Sequence, residues 1–313
     1  MWAESPDLAV LALAALLDLV GREPPRWLHP TVWIGRTVTI ADGLSPRSRI
    51  AGLLSGGLMV LVVTGLWGTA AYFAVEWLNS VHNLAYILVG GVLLKTTFSV
   101  KMLHRVASRV RKSLARDDID QVRSQLPSLV SRDPSQLTPE QAMAATVESV
   151  SENMSDSFIG PWLAFALFGL PGAVAYRAIN TLDSMIGYHG QYEYLGKAAA
   201  RLDDLVNLIP ARLTGLLLVF VSAFLPGQKA PDAWRIMWRD HGRTESPNAG
   251  WAMSGMAGAL GVELEKVGHY RLGDRTRPLE PEDITRAVRS MYGVAGIGLV
   301  IALGITFLRA GIT

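Results

Sequence analysis

The run from Ala51 to Trp77 decides the class of fold, because it is apolar and long enough to cross a bilayer with some tilt. A second run, Leu84 to Val100, follows after the uncharged turn Asn79 to Asn83. Of the 313 residues, 50% are apolar and only 18% charged, against about a quarter in a soluble protein of this size. The chain is therefore expected to be an all-α, multi-pass membrane bundle forming a single domain, residues 1–313.

Basic residues crowd the outer flanks of these two runs. Arg36, Arg47 and Arg49 precede the first; Lys101, Arg105, Arg109, Arg111, Lys112 and Arg116 follow the second. The positive-inside rule places both flanks in the cytoplasm and the chain in the cell membrane. MWAESPD opens with acids and no Lys or Arg, the reverse of a secretory leader, so no cleavage is expected. The net charge of +2 gives no footprint for nucleic acid. With no cysteine, disulfides, thiolate zinc sites and a cysteine nucleophile are excluded.

Other stretches are less regular. Leu8 to Val20 is too short to cross alone and carries Asp18. Gly21 to Gly35 is rich in Pro, Gly and Trp and is expected to be an interfacial loop, with His29 held extended by Pro30. Lys95 sits in GGVLLKTTF, which lacks the glycine and the strand of a phosphate loop; a lysine snorkelling to the interface is expected instead. Lys101 to Leu129 has the pattern of an amphipathic surface helix broken near Pro127, and Lys229 to Arg243 is basic and Trp-bearing. Thr138, Pro139 and Gln141 announce a helix start with a capping box.

Phe158 to Tyr176 is interrupted by Pro161 and by GLPG at Gly169 to Gly172, which predicts a broken helix or re-entrant hairpin. Leu213 to Leu225 is again short. A small-residue helix is expected within His241 to Leu264, and a final span from Met291 to Leu308 in a helix opened by Glu282 and Asp283. Hydropathy leaves the number of crossings open. Incomplete crossings would gather the polar motifs around one cytoplasm-facing cavity.

Those motifs lie between Glu148 and Arg212. Glu148, Glu152 and Asp156 recur at i, i+4 and i+8, on one helix face. Like charges so close must be neutralised by a bound Mg²⁺, an arginine or water. Asn180 and Asp183 follow, then Asp203, Asp204 and Asn207, flanked by Arg201 and Arg212. Carboxylates beside arginines suit a metal and a phosphate held together. Ser246 and Asn248 serve equally as a helix cap or as substrate contacts. Asp18 and Glu23 stay open between site and structural roles.

WLHPTVWIG, the Glu148–Asp156 cluster, NTLDSMIGY, ARLDDLVNLIPARL, the SPNAG stretch after His241 and LEPEDITRAVR together resemble, in order and over nearly the whole chain, the membrane cobalamin-biosynthesis family of adenosylcobinamide-phosphate synthases. The chain departs from the family at Gly21 to Pro24, one residue longer than its usual Gly-Asp-Pro, and at Gly160 and Pro161, where Ala-Pro is usual; the former bears on Glu23. The resemblance implies an acid–amine ligase that uses ATP to join adenosylcobyric acid to (R)-1-aminopropan-2-ol phosphate or to aminopropanol. Mg²⁺ would then fall to Glu148, Glu152, Asp203 and Asp204, with Asp156 and Asp183 as secondary candidates, and phosphates to Arg201 and Arg212. Asn153, Asn180 and Asn207 would orient oxygens, with Glu148, Glu152, Asp183 or His29 in catalytic roles. Expected partners are the corrinoid, the amine and membrane lipid; association with other membrane enzymes of late cobalamin assembly, or with further copies of the chain, stays open. Two rivals fit parts of the pattern: a Mg²⁺-dependent prenyl or alcohol phosphotransferase, and a corrinoid transporter or binding scaffold.

Overall fold

A computed structural model describes residues 6–21, 25, 27, 29–129 and 134–311. In chain order its helices are α1 (Pro6–Val20), α2 (Pro30–Leu44), α3 (Arg49–Val81), α4 (Asn83–Lys95), α5 (Val100–Leu114), α6 (Ile119–Gln125), α7 (Pro139–Met154), α8 (Gly160–Ile186), α9 (Lys197–Val206), α10 (Leu208–Ser222), α11 (Ala230–Asp240), α12 (Ala249–Leu260) and α13 (Pro281–Ala310). The only strands among the described residues, β1 (Glu263–Lys266) and β2 (Tyr270–Gly273), form an antiparallel hairpin between α12 and α13. Four helical stretches are long and apolar enough to cross a membrane: Arg49–Val81, Asn83–Leu114, Pro139–Ile186 and Pro281–Ala310. The pair α9 and α10, bent by 48°, makes a fifth if counted as one. The chain is a helical, multi-pass membrane protein.

Its contacts sort into two compact units. The first comprises residues 1–99, 160–207 and 299–313; the second comprises residues 100–159 and 208–298.

In the first unit α3 packs on α8, and α2 and α9 cover the same pair. Ile34, Val38, Met59, Val60, Val63, Ala178, Leu182 and Ile186 form the shared core. The expected break in the third apolar run is a reversal. Gly169 has φ 68° and ψ −164°, a conformation that favours glycine, and Pro171 follows. The chain doubles back there, since a Cβ on Gly160 would strike the ring of Tyr176. The loop after α8 returns to the N-terminal, basic end of α3. There Tyr192 donates to Asp42 at 3.2 Å, and the backbone of Leu195 lies against Gly56 with no room for a side chain.

Two expectations need correction. The Pro-rich stretch does not stay a loop through Gly35, because Pro30 occupies the first turn of α2, where its missing N–H costs nothing. His29 is extended before it, as expected, with φ −90° and ψ 112°. Nor does Lys95 snorkel. It is buried, 3.1 Å from Asp18 of α1, and donates to the Phe98 carbonyl at 3.3 Å. Asp18, left open by the sequence, is thereby a structural counter-ion tying α1 to α4.

In the second unit the capping box forms as expected, Gln141 N donating to Thr138 Oγ1 at 3.3 Å and Thr138 N to Gln141 Oε1 at 2.9 Å. Glu148 and Glu152 share the regular face of α7, whereas Asp156 falls in a π-helical turn, Ser155–Ile159. α5 is amphipathic, burying Leu103, Val106, Ala107, Val110 and Leu114. α12 is buried on every side from Gly250 to Leu260, its small residues admitting α7, α10 and α11 closely. Asp240 at the end of α11 accepts from Arg239 at 2.7 Å and from the Gly273 N–H at 2.8 Å, fastening the hairpin. Burial pushes its carboxyl up, and these hydrogen bonds more than offset that, holding it below the usual carboxylate range.

Two predictions follow from the first unit. Gly56→Ala should destabilise the protein by about 1–3 kcal/mol, the cost of overpacking, while Gly57→Ala, with open space around it, should be neutral in detergent thermal melts. Lys95→Met should cost about 3–5 kcal/mol by stranding Asp18, and adding Asp18→Leu should recover most of it.

Candidate functional site

The reversal at Gly169 sends the second arm of α8 back with Tyr176, Arg177, Asn180 and Asp183 spaced over two turns. α9 packs beside this arm and carries Asp203, Asp204 and Asn207. Within the first unit these residues meet. Asn207 is buried at the C-cap of α9; its amide donates to Asp203 Oδ2 at 2.9 Å and its oxygen accepts from the Tyr176 hydroxyl at 2.6 Å. Asp203 is buried too, its Oδ1 without a hydrogen bond. Asn180 lies against that carboxylate, and Asp183 and Asp204 are close enough for their charges to act on it. Asn180 is itself oriented by Arg177 Nη1, 3.2 Å from its oxygen. Arg201 stands outside, its side chain 76% exposed and 3.8 Å from Asp204.

Three carboxylates around buried amides are electrostatically costly, and a cation lowers that cost. The donors suit Mg²⁺, a hard cation that takes one or two carboxylates and fills its remaining positions with water and substrate phosphates. Among the described residues no three His, Asp or Glu side chains are grouped so as to hold a metal ion by themselves, so an ion here would rely on substrate phosphates and water for most of its shell. The buried Asp203 oxygen is the point where the residues present fit such an ion.

The remaining sequence candidates belong to the second unit or to the start of α2. Glu148 is buried and Glu152 half-buried on α7. Asn153 is held locally, donating to the Ser149 carbonyl at 2.9 Å and accepting from Ser157 at 2.7 Å. Arg212 donates to the Leu208 carbonyl at 2.8 Å and to Asn248 Oδ1 at 3.4 Å, and its guanidinium covers the Trp251 ring at 4.9 Å. Asn248 sits at the N-cap of α12, yet its side chain makes no cap and turns to Arg212. Ser246 accepts from the Asn248 N–H at 3.2 Å, a local turn contact. His29 opens α2. Glu23 lies outside the described residues.

Sequence reasoning missed Tyr176 and Arg177, which orient two of the asparagines, and Trp251, whose ring lies 4.1 Å from that of His241 beneath Arg212. Arg177 was visible as a lone cation inside an apolar stretch. Tyr176 and Trp251 carried no such signal.

A family model described as CobD/Cbib protein matches residues 11–291. Among relatives, cobalamin biosynthesis protein CobD of Dehalococcoides mccartyi is 43% identical over 306 residues, 96% of this chain and 97% of that protein. CobD of Klebsiella pneumoniae is 36% identical over 97% of this chain and 99% of its own length. Cobalamin biosynthesis protein CbiB of Salmonella arizonae is 37% identical over 92% and 94%. No solved structure matches.

The geometry makes Tyr176, Asn207 and Asp203 one chain of hydrogen bonds. Tyr176→Phe should cost about 1 kcal/mol and Asn207→Ala about 1.5–3 kcal/mol. The double variant should cost no more than Asn207→Ala alone, read from denaturant unfolding in detergent.

Proposed function

Because this chain belongs to the CobD/CbiB family of cobalamin-biosynthesis proteins, we propose that it is the membrane enzyme that uses ATP to join adenosylcobyric acid to (R)-1-aminopropan-2-ol phosphate, or to aminopropanol. The observation that carries this proposal is the buried Asp203 carboxylate, one oxygen accepting from Asn207 and the other buried beside Asn180, with Asp183 and Asp204 near.

The chemistry asked of the site is condensation of a carboxylate with an ammonium. The new bond joins nitrogen to the propionate carbon, and one carboxylate oxygen must leave. Transfer of the terminal phosphoryl group of ATP to that oxygen lets it depart as inorganic phosphate, with ADP as the other product. Mg²⁺ bound with ATP would neutralise the phosphate oxygens. The residues proposed to hold it are Asp203 and Asp204; Glu148 and Glu152, in the second unit, are proposed separately as catalytic carboxylates.

The chain's own side chains have separable tasks in this scheme. Tyr176 and Asn207 fix the Asp203 carboxylate, so its second oxygen is held in place rather than rotating. Asn180, aligned by Arg177, keeps an amide beside the same carboxylate. Arg201, loosely paired at 3.8 Å, retains donors for a phosphate, and Arg212 is the second candidate for one. The ammonium must lose its proton before it attacks, and Asp183 or His29 would accept it. α9 starts beside the loop that packs on the basic end of α3. The positive-inside rule assigns that end to the cytoplasm, where ATP is supplied.

Purified protein given adenosylcobyric acid, aminopropanol phosphate and MgATP should yield adenosylcobinamide phosphate by mass spectrometry, with one ADP per product. Asp203→Asn and Glu152→Gln should each lower kcat by roughly 100-fold with elution and melting unchanged. Unchanged turnover in both would remove these assignments. Uptake of corrinoid into vesicles with no covalent change, or phosphotransfer to a lipid without ATP, would favour the rival functions.

A further inference from the structure

At the end of the first unit remote from Arg47 and Arg49, a cavity of about 480 Å³ opens between the N-terminus of α1, the last turns of α3, the start of α4, the Gly169 reversal and the C-terminus of α13. Its size is within the range of small-ligand sites. None of its lining residues belongs to the proposed catalytic cluster. On one side Asp7 receives both Arg309 and the Tyr86 hydroxyl, and Arg309 also donates to the Phe165 carbonyl at 2.8 Å. Asp7 thus balances the arginine's charge.

Glu76 also lines the cavity, and among the described residues no basic side chain forms an ion pair with it. With Asp7 and Arg309 cancelling, the cavity carries a net charge of about −1 from this carboxylate. A carboxylate near the end of a membrane helix is costly unless a cation or water accompanies it. Tyr72 and Asn79 line the same space, adding an aromatic ring and an amide to its chemistry. A carboxylate, an amide oxygen and a π face together favour an ammonium. A bare metal ion would leave the apolar walls, Leu167, Phe168 and Pro171, in contact with water.

The surroundings narrow the source of that ammonium. Phe73 and Trp77, next in α3 to the lining residues Tyr72 and Glu76, and Phe168 at the reversal are exposed by 63%, 66% and 72%. Large apolar side chains so exposed on membrane helices face lipid, with tryptophan at the headgroup level. We propose that the cavity holds the primary ammonium of an aminophospholipid headgroup, with Glu76 as its counter-ion and Asn79 as a second acceptor. A quaternary ammonium would lose the N–H donors that these two oxygens accept.

The test is lipid retention by delipidated protein in mixed micelles, read by native mass spectrometry. Phosphatidylethanolamine should be retained, one per chain, at concentrations about tenfold below those needed for phosphatidylcholine or phosphatidylglycerol. Glu76→Gln should abolish that preference, and Asn79→Ala should reduce it in a chain that elutes normally. Equal phosphatidylethanolamine retention by wild type and both variants would overturn the proposal. So would equal retention of the choline lipid, or displacement by free ethanolamine at matching concentration, which would assign a soluble amine. The measurement is independent of turnover, so its failure leaves the amide-forming proposal untouched.

Discussion

A carboxylate buried among membrane helices must be matched by donors or by a cation, and the first unit is arranged around that demand twice. At Asp18 the match is complete: Lys95 lies 3.1 Å away with both side chains out of water. At Asp203 it is half complete, Oδ2 accepting from Asn207 and Oδ1 without a hydrogen bond. The difference separates a structural ion pair from a binding group. A closed pair contributes rigidity, whereas a buried carboxylate beside two further carboxylates is stabilised by positive charge brought near it.

The reversal at Gly169 is what makes this cluster geometrically available. By doubling back, α8 presents Tyr176, Asn180 and Asp183 to α9 instead of spreading them along one uninterrupted span. The close seating of Leu195 on Gly56 then fixes where α9 begins. Rigid elements supporting a polar site hold its atoms more exactly in place than loops would, which matters when binding energy has to be converted into orientation.

Some of this was legible in the sequence and some was not, for physical reasons. GLPG forced a break because glycine and proline both oppose continuous helix, and TPEQ specified a helix start because its hydrogen bonds are local. The spacing of Asp203, Asp204 and Asn207 within one helix was local in the same way. Lys95 was misjudged and Asp18 left open because their pairing depends on α1 packing against α4, a contact no local pattern records. Pro30 was taken as a helix breaker although the first turn tolerates proline, so α2 was missed. The β-hairpin escaped because its strands are four residues each and ELEK is largely polar. Tyr176 resembled any aromatic in an apolar run until the fold placed its hydroxyl 2.6 Å from Asn207.

The central claim is that the Asp203 carboxylate serves a magnesium–nucleotide complex, and nucleotide-induced stabilisation addresses it without requiring chemistry. The melting temperature of the detergent-solubilised protein should rise with a non-hydrolysable ATP analogue and Mg²⁺. The rise should vanish with EDTA and be absent in Asp203→Asn. A rise of the same size without Mg²⁺, or an undiminished one in Asp203→Asn, would contradict the account.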